Sequence, residues 1–311
     1  MRILLFALTD TYDTVVPALE EKGHTVKLIN QYSCMGINIY YGCPKAVAWS
    51  IEEIRKFSPD VVVNNMPPLL LPLSDDYTYF GNTRKSARLE LCKWETRQKA
   101  WEFGFELPEV VAECNLHEMP RFPYTTFLKS KGNDTWCQAW KVTPETDIEK
   151  QNKIFSTESN CPAYVEKAIE FEVEGYCQFR VCNNAYSIND MKATHGDVSA
   201  YKELDGSTDW REVTYLTDLT QEQYDVFRPL CDAWLKYVAT LGGDYEGNIG
   251  VGITKDLKVY WFEQNSRLSM YTQFQGDADS WIDSFTTCTD NKFWDLGALN
   301  NYKENNNVGN D

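Results

Sequence analysis

The order in which the apolar period changes over residues 1–82 constrains the fold more than any other feature. Arg2 to Leu8 is a compact apolar run of strand length. Asp13 to Lys22 then places Val15, Val16, Ala18 and Leu19 on one helical face and stops at Gly23. His24 to Ile29 returns to strand character, Lys45 to Phe57 reads as a second helix ending before Pro59, and Asp60 to Val63 makes a third strand. Strands alternating with helices predict parallel pairing through right-handed crossovers, hence a small α/β layer. The turn after the first strand, Ala7-Leu8-Thr9-Asp10-Thr11-Tyr12, has no glycine to let a backbone approach a phosphate. This layer is therefore not expected to hold a nucleotide.

The rest of the chain mixes its periods. Thr83 to Phe103 predicts one long helix stopped by Gly104. Tyr124–Lys129, a turn at Gly132-Asn133-Asp134 and Trp136–Val142 predict a hairpin. Glu145–Phe155 reads as helix, and Ala163–Lys167, Tyr176–Cys182 and Ala185–Ile188 as strands. Thr220 with Gln223 three residues on is a capping-box spacing, opening a helix that runs to Leu241 before Gly242-Gly243. Asn248–Thr254 and Lys258–Glu263 predict a second hairpin, and the Asn-rich stretch from Asn300 a frayed tail. The expected class is α/β joined to α+β.

Charge and cysteine usage remove several functions. Thirty Lys plus Arg against 46 Asp plus Glu leave a formal charge of −16 over 311 residues. Neutralising a nucleic-acid backbone needs clustered cations, so no nucleic-acid partner is expected. No apolar run approaches the roughly 20 residues of a membrane span, so no membrane partner is expected either. Asp10 and Asp13 follow the apolar start at once with no small-residue cleavage site, and the expectation is a cytoplasmic protein. Ten scattered cysteines form no CxxC pair and only three histidines accompany them, which leaves a zinc site unsupported. Most of the cysteines are expected as buried small hydrophobes.

Three polar constellations carry candidate chemistry. Tyr260 to Arg267 ends an apolar strand, and alternation puts Glu263, Asn265 and Arg267 on one face. A carboxylate and an amide oxygen suit Mg²⁺ (or Mn²⁺), and an arginine beyond them suits charge on a transferred phosphoryl group. A strand leaving the core and turning polar would read the same way. Glu166, Lys167 and Ile169, followed by Glu174, offer backbone and carboxylate partners for an adenine edge and ribose hydroxyls; a surface charge cluster is the plainer alternative. Lys93 and Lys129 could each hold phosphate, or be snorkelling surface lysines.

Taken in order, these pieces resemble the ATP-grasp ligases, and within them the glycinamide ribonucleotide synthetase (phosphoribosylamine–glycine ligase) branch. Tyr79 to Lys93 is similar to that family's Phe-Gly-Pro-Thr, Ala-Ala-x-Leu-Glu and Ser-Lys segment. Phe122-Pro123-Tyr124 through Lys129 resembles its phosphate-lysine strand, Glu166-Lys167-Ala168-Ile169 its adenine hinge, and Glu263-x-Asn265-x-Arg267 its Glu-Phe-Asn-Cys-Arg. The strand before the last, Ile249 to Ile253, carries no metal carboxylate, again as in that branch. The opening glycine-rich loop, the glycine-rich lid loop (here Lys129 to Asp134) and the glycine-rich substrate segment (here Asn189 to Asp197) are not matched.

The resemblance implies an N-terminal layer over 1–82, a linking segment over 83–122, a lid over 123–168, a large α+β unit over 169–295 and a tail over 296–311. It implies ATP with Mg²⁺ on Glu263 and Asn265, phosphates on Lys93 and Lys129, Arg267 on the transferring group, and adenine on Glu166, Lys167 and Ile169, with Glu174 at the ribose. The implied reaction joins a small-molecule carboxylate to an amine through an acyl phosphate, as in purine biosynthesis. A different amino-acid or peptide substrate, or a nucleotide-binding module without turnover, fits the same residues. Arg180, Lys192 and Arg211 are substrate candidates with no spacing that ties them to the rest.

Overall fold

The computed structural model describes residues 1–7, 15–30, 44–66, 69, 71, 76–131, 139–149, 152, 161–195, 215–267, 282 and 285. Its first elements are β1 (Arg2–Ala7), α1 (Val15–Glu21), β2 (Thr25–Asn30), α2 (Pro44–Phe57), β3 (Val61–Asn64) and β4 (Thr78–Asn82). β1 pairs in parallel with β2 and β3, as the alternating pattern predicts, and β3 pairs in parallel with β4, a fourth strand that the pattern did not show. The continuous apolar run of β1 has a plain cause, because both of its faces are covered. Ile3, Leu5 and Ala7 pack with Val15 and Leu19 of α1, while Leu4 and Phe6 pack with Ala46 and Ile54 of α2.

The long helix expected over Thr83–Phe103 is two helices, α3 (Arg84–Leu91) and α4 (Lys93–Glu102). Thr83 caps α3 through a capping box with Ser86. Cys92, at φ −112° and ψ 64°, breaks the run without any glycine or proline. The break is tertiary in origin: Trp94 N donates to Lys131 O at 3.3 Å and the Trp94 ring packs on Tyr164 at 4.9 Å. Its result is that Lys93 opens a new helix instead of lying inside an old one.

β5 (Val110–Asn115), β6 (Thr126–Ser130), β7 (Ala139–Val142) and β8 (Pro162–Lys167) form an antiparallel sheet in the order β5-β8-β6-β7. The β6–β7 hairpin pairs Thr126 with Val142 through Lys129 with Ala139, as expected, though its turn lies outside the described residues. The helix expected from Glu145 starts later, at Ile148. Thr146 N donates to Thr143 O and Thr143 N to Thr146 Oγ1, a local turn that competes with helix. Positions 150, 151 and 153–155 of that expected helix, like the tail from Asn300, lie outside the described residues.

β9 (Val173–Cys182), β10 (Ala185–His195), β11 (Tyr215–Asp218), α5 (Gln221–Ala239), β12 (Gly243–Ile253) and β13 (Val259–Asn265) complete the chain. β9 and β10 turn at Asn183 and Asn184, both at positive φ, as a tight hairpin requires. The capping box of Thr220 and Gln223 forms as expected. The strands run β11-β10-β9-β12 with β13 on the free side of β12, and β12 then joins β4. That junction needs Gly243, at φ +99°, whose absent Cβ would lie 3.0 Å from Gly81 O.

One face of this sheet belongs to the core. Cys177, Phe179, Val181, Ile249, Val251 and Ile253 pack on Phe227, Cys231, Trp234, Leu235 and Val238 of α5. Each such buried side chain contributes roughly 1.5–3 kcal/mol, so the sheet is a stiff platform. Cys177 and Cys231 are buried free thiols, as expected, whereas Cys182 departs from that reading and is disulfide-bonded. Among the described residues no helix is long and apolar enough to cross a membrane.

Candidate functional site

The opposite face of the same sheet is polar. Period-two alternation turns Glu174, Tyr176, Gln178 and Arg180 of β9 away from α5, opposite Gly252, Gly250, Asn248 and Glu246 of β12. The two glycines leave that strip of β12 without side chains. An ideal Cβ at Gly250 would sit 3.9 Å from Glu263 Cγ, so the space beside this carboxylate stays open.

β13 reaches this face by a bulge. Val251 pairs with Trp261 and Gly250 with Glu263, so Phe262 has no partner. Trp261 and Gln264 are both buried although three residues apart, and Gln264 Oε1 accepts from Trp234 Nε1 at 2.6 Å. Strict alternation from Trp261 would have turned Glu263 into the core. The extra residue turns Glu263 and Asn265 outward together, the shared face that the sequence reading expected for a different reason.

The side chains there form one hydrogen-bonded chain. Lys93 Nζ lies 2.6 Å from Glu263 Oε2. Asn265 Nδ2 donates to Glu263 Oε1 at 3.0 Å and to Asn248 Oδ1 at 3.1 Å. Arg267 NH2 donates to Asn265 Oδ1 at 3.3 Å, and Arg267 Nε to Glu90 Oε1 at 2.7 Å. Arg267 stands two residues past the end of β13, so its place is set by α3 and not by strand alternation. Burial pushes the Glu263 carboxyl up, but the Lys93 charge and hydrogen bond, the Asn265 hydrogen bond and the Lys129 charge outweigh it and bring it down to about 2. Glu174 moves the other way, to about 8, through burial and the charge of Glu263.

A second cluster lies in the four-stranded sheet. Glu166 of β8 is buried between Lys129 Nζ of β6 at 2.7 Å and Arg97 Nε of α4 at 3.0 Å. Arg97 also donates to Pro108 O at 2.7 Å and lies over the rings of Trp94 and Tyr164. The Glu166 side chain is thus held by two cations, and its residue contributes to the β8 end chiefly as backbone. Just beyond, Lys167 N donates to Glu109 O and Ala168 N to Thr125 O, while the Lys167 side chain lies over Tyr124. Ile169 follows, half-buried, outside the strand.

Lys93, Glu263, Asn265 and Arg267 are therefore brought into contact, Lys129 and Glu166 are joined beside them, and Glu174 stands within electrostatic reach of Glu263. Arg180 is buried on the polar face over the Phe80 ring, and Lys192 is paired with Asp218 at 2.6 Å. Arg211 lies outside the described residues. Sequence alone assigns no role to Glu90, which stands within the segment similar to Ala-Ala-x-Leu-Glu, nor to Arg97 or Asn248, ordinary polar residues on a helix and a strand pattern. Asn248 could have been found from its pairing opposite Asn265 once the last hairpin was drawn in register.

A divalent cation fits this donor set. Glu263 stays ionised, Asn248 presents an amide oxygen beside it, the Asn265 oxygen, which faces Arg267, would come to the metal on a turn of its amide, and the ammonium of Lys93 already stands as a cation against the carboxylate. Mg²⁺ keeps several waters and needs only one or two protein carboxylates. Among the described residues no group of three His, Cys, Asp or Glu gathers here or elsewhere, so the fit rests on one carboxylate and two amides.

Neither a protein-family model nor a curated protein matches the sequence. Solved structures do. The L-amino acid ligase from Bacillus licheniformis superposes with a TM-score of 0.58 at 13% identity, over 86% of this chain and 67% of its own. D-alanine–D-alanine ligase from Bacillus anthracis, complexed with ATP, gives 0.55 at 13% identity over 98% and 99%. N5-carboxyaminoimidazole synthase from Aspergillus clavatus, in complex with ADP and 5-aminoimidazole ribonucleotide, gives 0.56 at 12% over 91% and 76%. At these identities the likeness is one of architecture, with the mixed N-terminal sheet and both antiparallel sheets in place. The chain has the ATP-grasp fold, which it shares with carbon–nitrogen ligases.

Proposed function

We propose that the protein is an ATP-dependent ligase that joins a small-molecule carboxylate to an amine through an acyl phosphate, releasing ADP and phosphate. The observation that carries this reading is the continuous contact from Lys93 through Glu263 and Asn265 to Arg267, assembled from α4 and β13 at the open edge of the polar face. A phosphate-binding lysine, a metal-binding carboxylate and amide, and an arginine for developing charge meet there within hydrogen-bonding distance.

In the reaction a substrate carboxylate oxygen attacks the γ-phosphorus and ADP leaves. The amine nitrogen then attacks the acyl carbon, phosphate leaves, and the amine proton passes to solvent. Lys93 and Lys129 hold phosphate oxygens, which requires Lys93 to turn from Glu263. Glu263 and Asn265, with Asn248, are the residues that would hold Mg²⁺ or Mn²⁺, which when bound supplies charge neutralisation and Lewis acidity. Arg267 stabilises the transferring group. The Lys167 carbonyl and the Ile169 N–H, past the end of β8, take the adenine edge. Glu166 serves that end by fixing Lys129, and Glu174, whose carboxyl feels the charge of Glu263, takes the ribose hydroxyls.

The glycinamide ribonucleotide branch is a narrower reading of the same machinery, with purine biosynthesis as its setting. The two amino-acid ligases and the carboxyaminoimidazole enzyme are alike in fold to the same degree, so the substrate pair is assigned by class alone. Titrating a non-hydrolysable ATP analogue with and without Mg²⁺, with Glu263→Ala as control, tests the site. Metal-dependent binding lost in the variant, followed by ADP release on screening amines with carboxylates, supports the ligase. Absence of binding to the wild type sinks it, and binding without turnover on any pair would leave a nucleotide-binding module instead.

A further inference from the structure

The arginine at the end of β13 has no strand to aim it, yet two acceptors hold it. Glu90, on α3, is 8% exposed and spends both carboxylate oxygens on the segment beyond the strand. Oε2 accepts from Ser266 N at 2.8 Å and Oε1 from Arg267 Nε at 2.7 Å. The first contact fixes the backbone just before Arg267 and the second fixes the guanidinium. The guanidinium in turn donates through NH2 to Asn265 Oδ1 at 3.3 Å, the amide whose nitrogen contacts Glu263. Further support comes from Asn82 Nδ2, which donates to Ser266 O, and from Gln264 Nε2, which donates to Ser266 Oγ at 2.9 Å.

We infer that Glu90 is a positioning residue for phosphoryl transfer, setting the plane of the Arg267 guanidinium. The inference rests on the ligase reading above. It follows from the planarity of the group: a guanidinium held at Nε by a carboxylate and at one NH2 by an amide oxygen keeps no free rotation about its terminal bonds. Such preorganisation matters where charge develops and little before, so Glu90 should leave nucleotide binding untouched and act on the transferring group. Glu90 itself touches neither nucleotide nor substrate.

The test compares affinity for Mg²⁺–ADP with affinity for Mg²⁺–ADP plus aluminium fluoride, which stands in for the transferring phosphoryl group. Four proteins are titrated: wild type, Glu90→Gln, Arg267→Ala and the double variant. Glu90→Gln is expected to bind ADP within about twofold of wild type and to lose about 10- to 30-fold for the aluminium fluoride complex, in the range seen for supporting contacts. In the Arg267→Ala background the same substitution is expected to add nothing, because Glu90 acts through that arginine. Equal losses for both ligands, or a full Glu90→Gln loss persisting without Arg267, would show a merely structural residue and overturn the inference. Wild-type protein that binds neither ligand would instead fail the ligase reading, and the inference with it. Should Glu90→Gln lose its cooperative melt, the wild-type Arg267 Nε–H resonance decides. Slow exchange with solvent is expected, and exchange as fast as that of a free arginine overturns the assignment.

Discussion

Two lysine–glutamate pairs stand at this site with nearly the same separation and opposite surroundings. Lys93 and Glu263 meet at 2.6 Å with side-chain exposures of 11% and 31%. Lys129 and Glu166 meet at 2.7 Å with 7% and 3%, and Arg97 closes the other side of the carboxylate. A sealed pair that loses one member leaves a buried uncompensated charge, whereas water can take over at an open one. The contrast teaches that equal distance is not equal commitment. Glu166 is a fixed strut that keeps Lys129 in place, and in the proposed reaction Glu263 is the berth that Lys93 leaves when a metal ion arrives.

The largest expected effect breaks the strut. Glu166→Gln leaves Lys129 and Arg97 buried side by side and should lower stability by about 3–5 kcal/mol in urea unfolding. A loss near that of an open pair would erase the distinction. Glu263→Gln should cost only about 1 kcal/mol in the same assay, yet weaken metal-dependent binding of an ATP analogue by on the order of 100-fold or more, beyond what loss of a supporting contact costs.

The third expectation uses pH. Glu263, whose carboxyl pKa is brought down to about 2 in the fold, contributes stability that is present above its ordinary value of 4.5 and lost as pH falls toward 2. Glu174, raised to about 8, has the reverse sign: its contribution is complete below 4.5 and disappears as pH rises through 8. Glu174→Gln should therefore flatten the decline in melting temperature between pH 5 and 8. A steeper decline would place the opposing charge elsewhere. The smallest effect is the most pointed. Lys93→Met should raise affinity for Mn²⁺ in the absence of nucleotide by about 10-fold, near 1.4 kcal/mol, and unchanged affinity would mean that the lysine does not compete for Glu263.

What the sequence made legible was local. The parallel layer followed from period changes, α5 from Thr220 and Gln223, and the last hairpin from its alternation. Glu263, Asn265 and Arg267 were picked out as a polar run at a strand end. The break at Cys92 was not legible, because the residues on both sides are good helix formers and the force that bends the chain comes from Trp94 meeting Lys131 and Tyr164. Nor was the bulge at Phe262, since period two holds on either side of it and only the packing of Trp261 and Gln264 reveals the shift. Glu90 and Arg97 meet partners only on or just beyond distant strands, which no pattern within their own helices shows. Lys93 and Glu263 are 170 positions apart, a separation across which no pattern within one element can speak.

The Glu90–Arg267 contact spans 177 positions, and that span has a consequence during synthesis. At roughly 5–20 residues per second, Glu90 leaves the ribosome about 10 to 35 s before its partner does. For that interval the nascent chain holds a helix whose inward face carries a carboxylate with neither Ser266 nor Arg267 to meet it. The N-terminal layer has contacts of its own, whereas the contacts of Glu90 to Ser266 and Arg267 wait until the last hairpin is delivered. Completion of the site is thus a late checkpoint on the whole chain, and a ribosome that stopped short of Ser266 would release a protein with its platform partly built and its arginine missing.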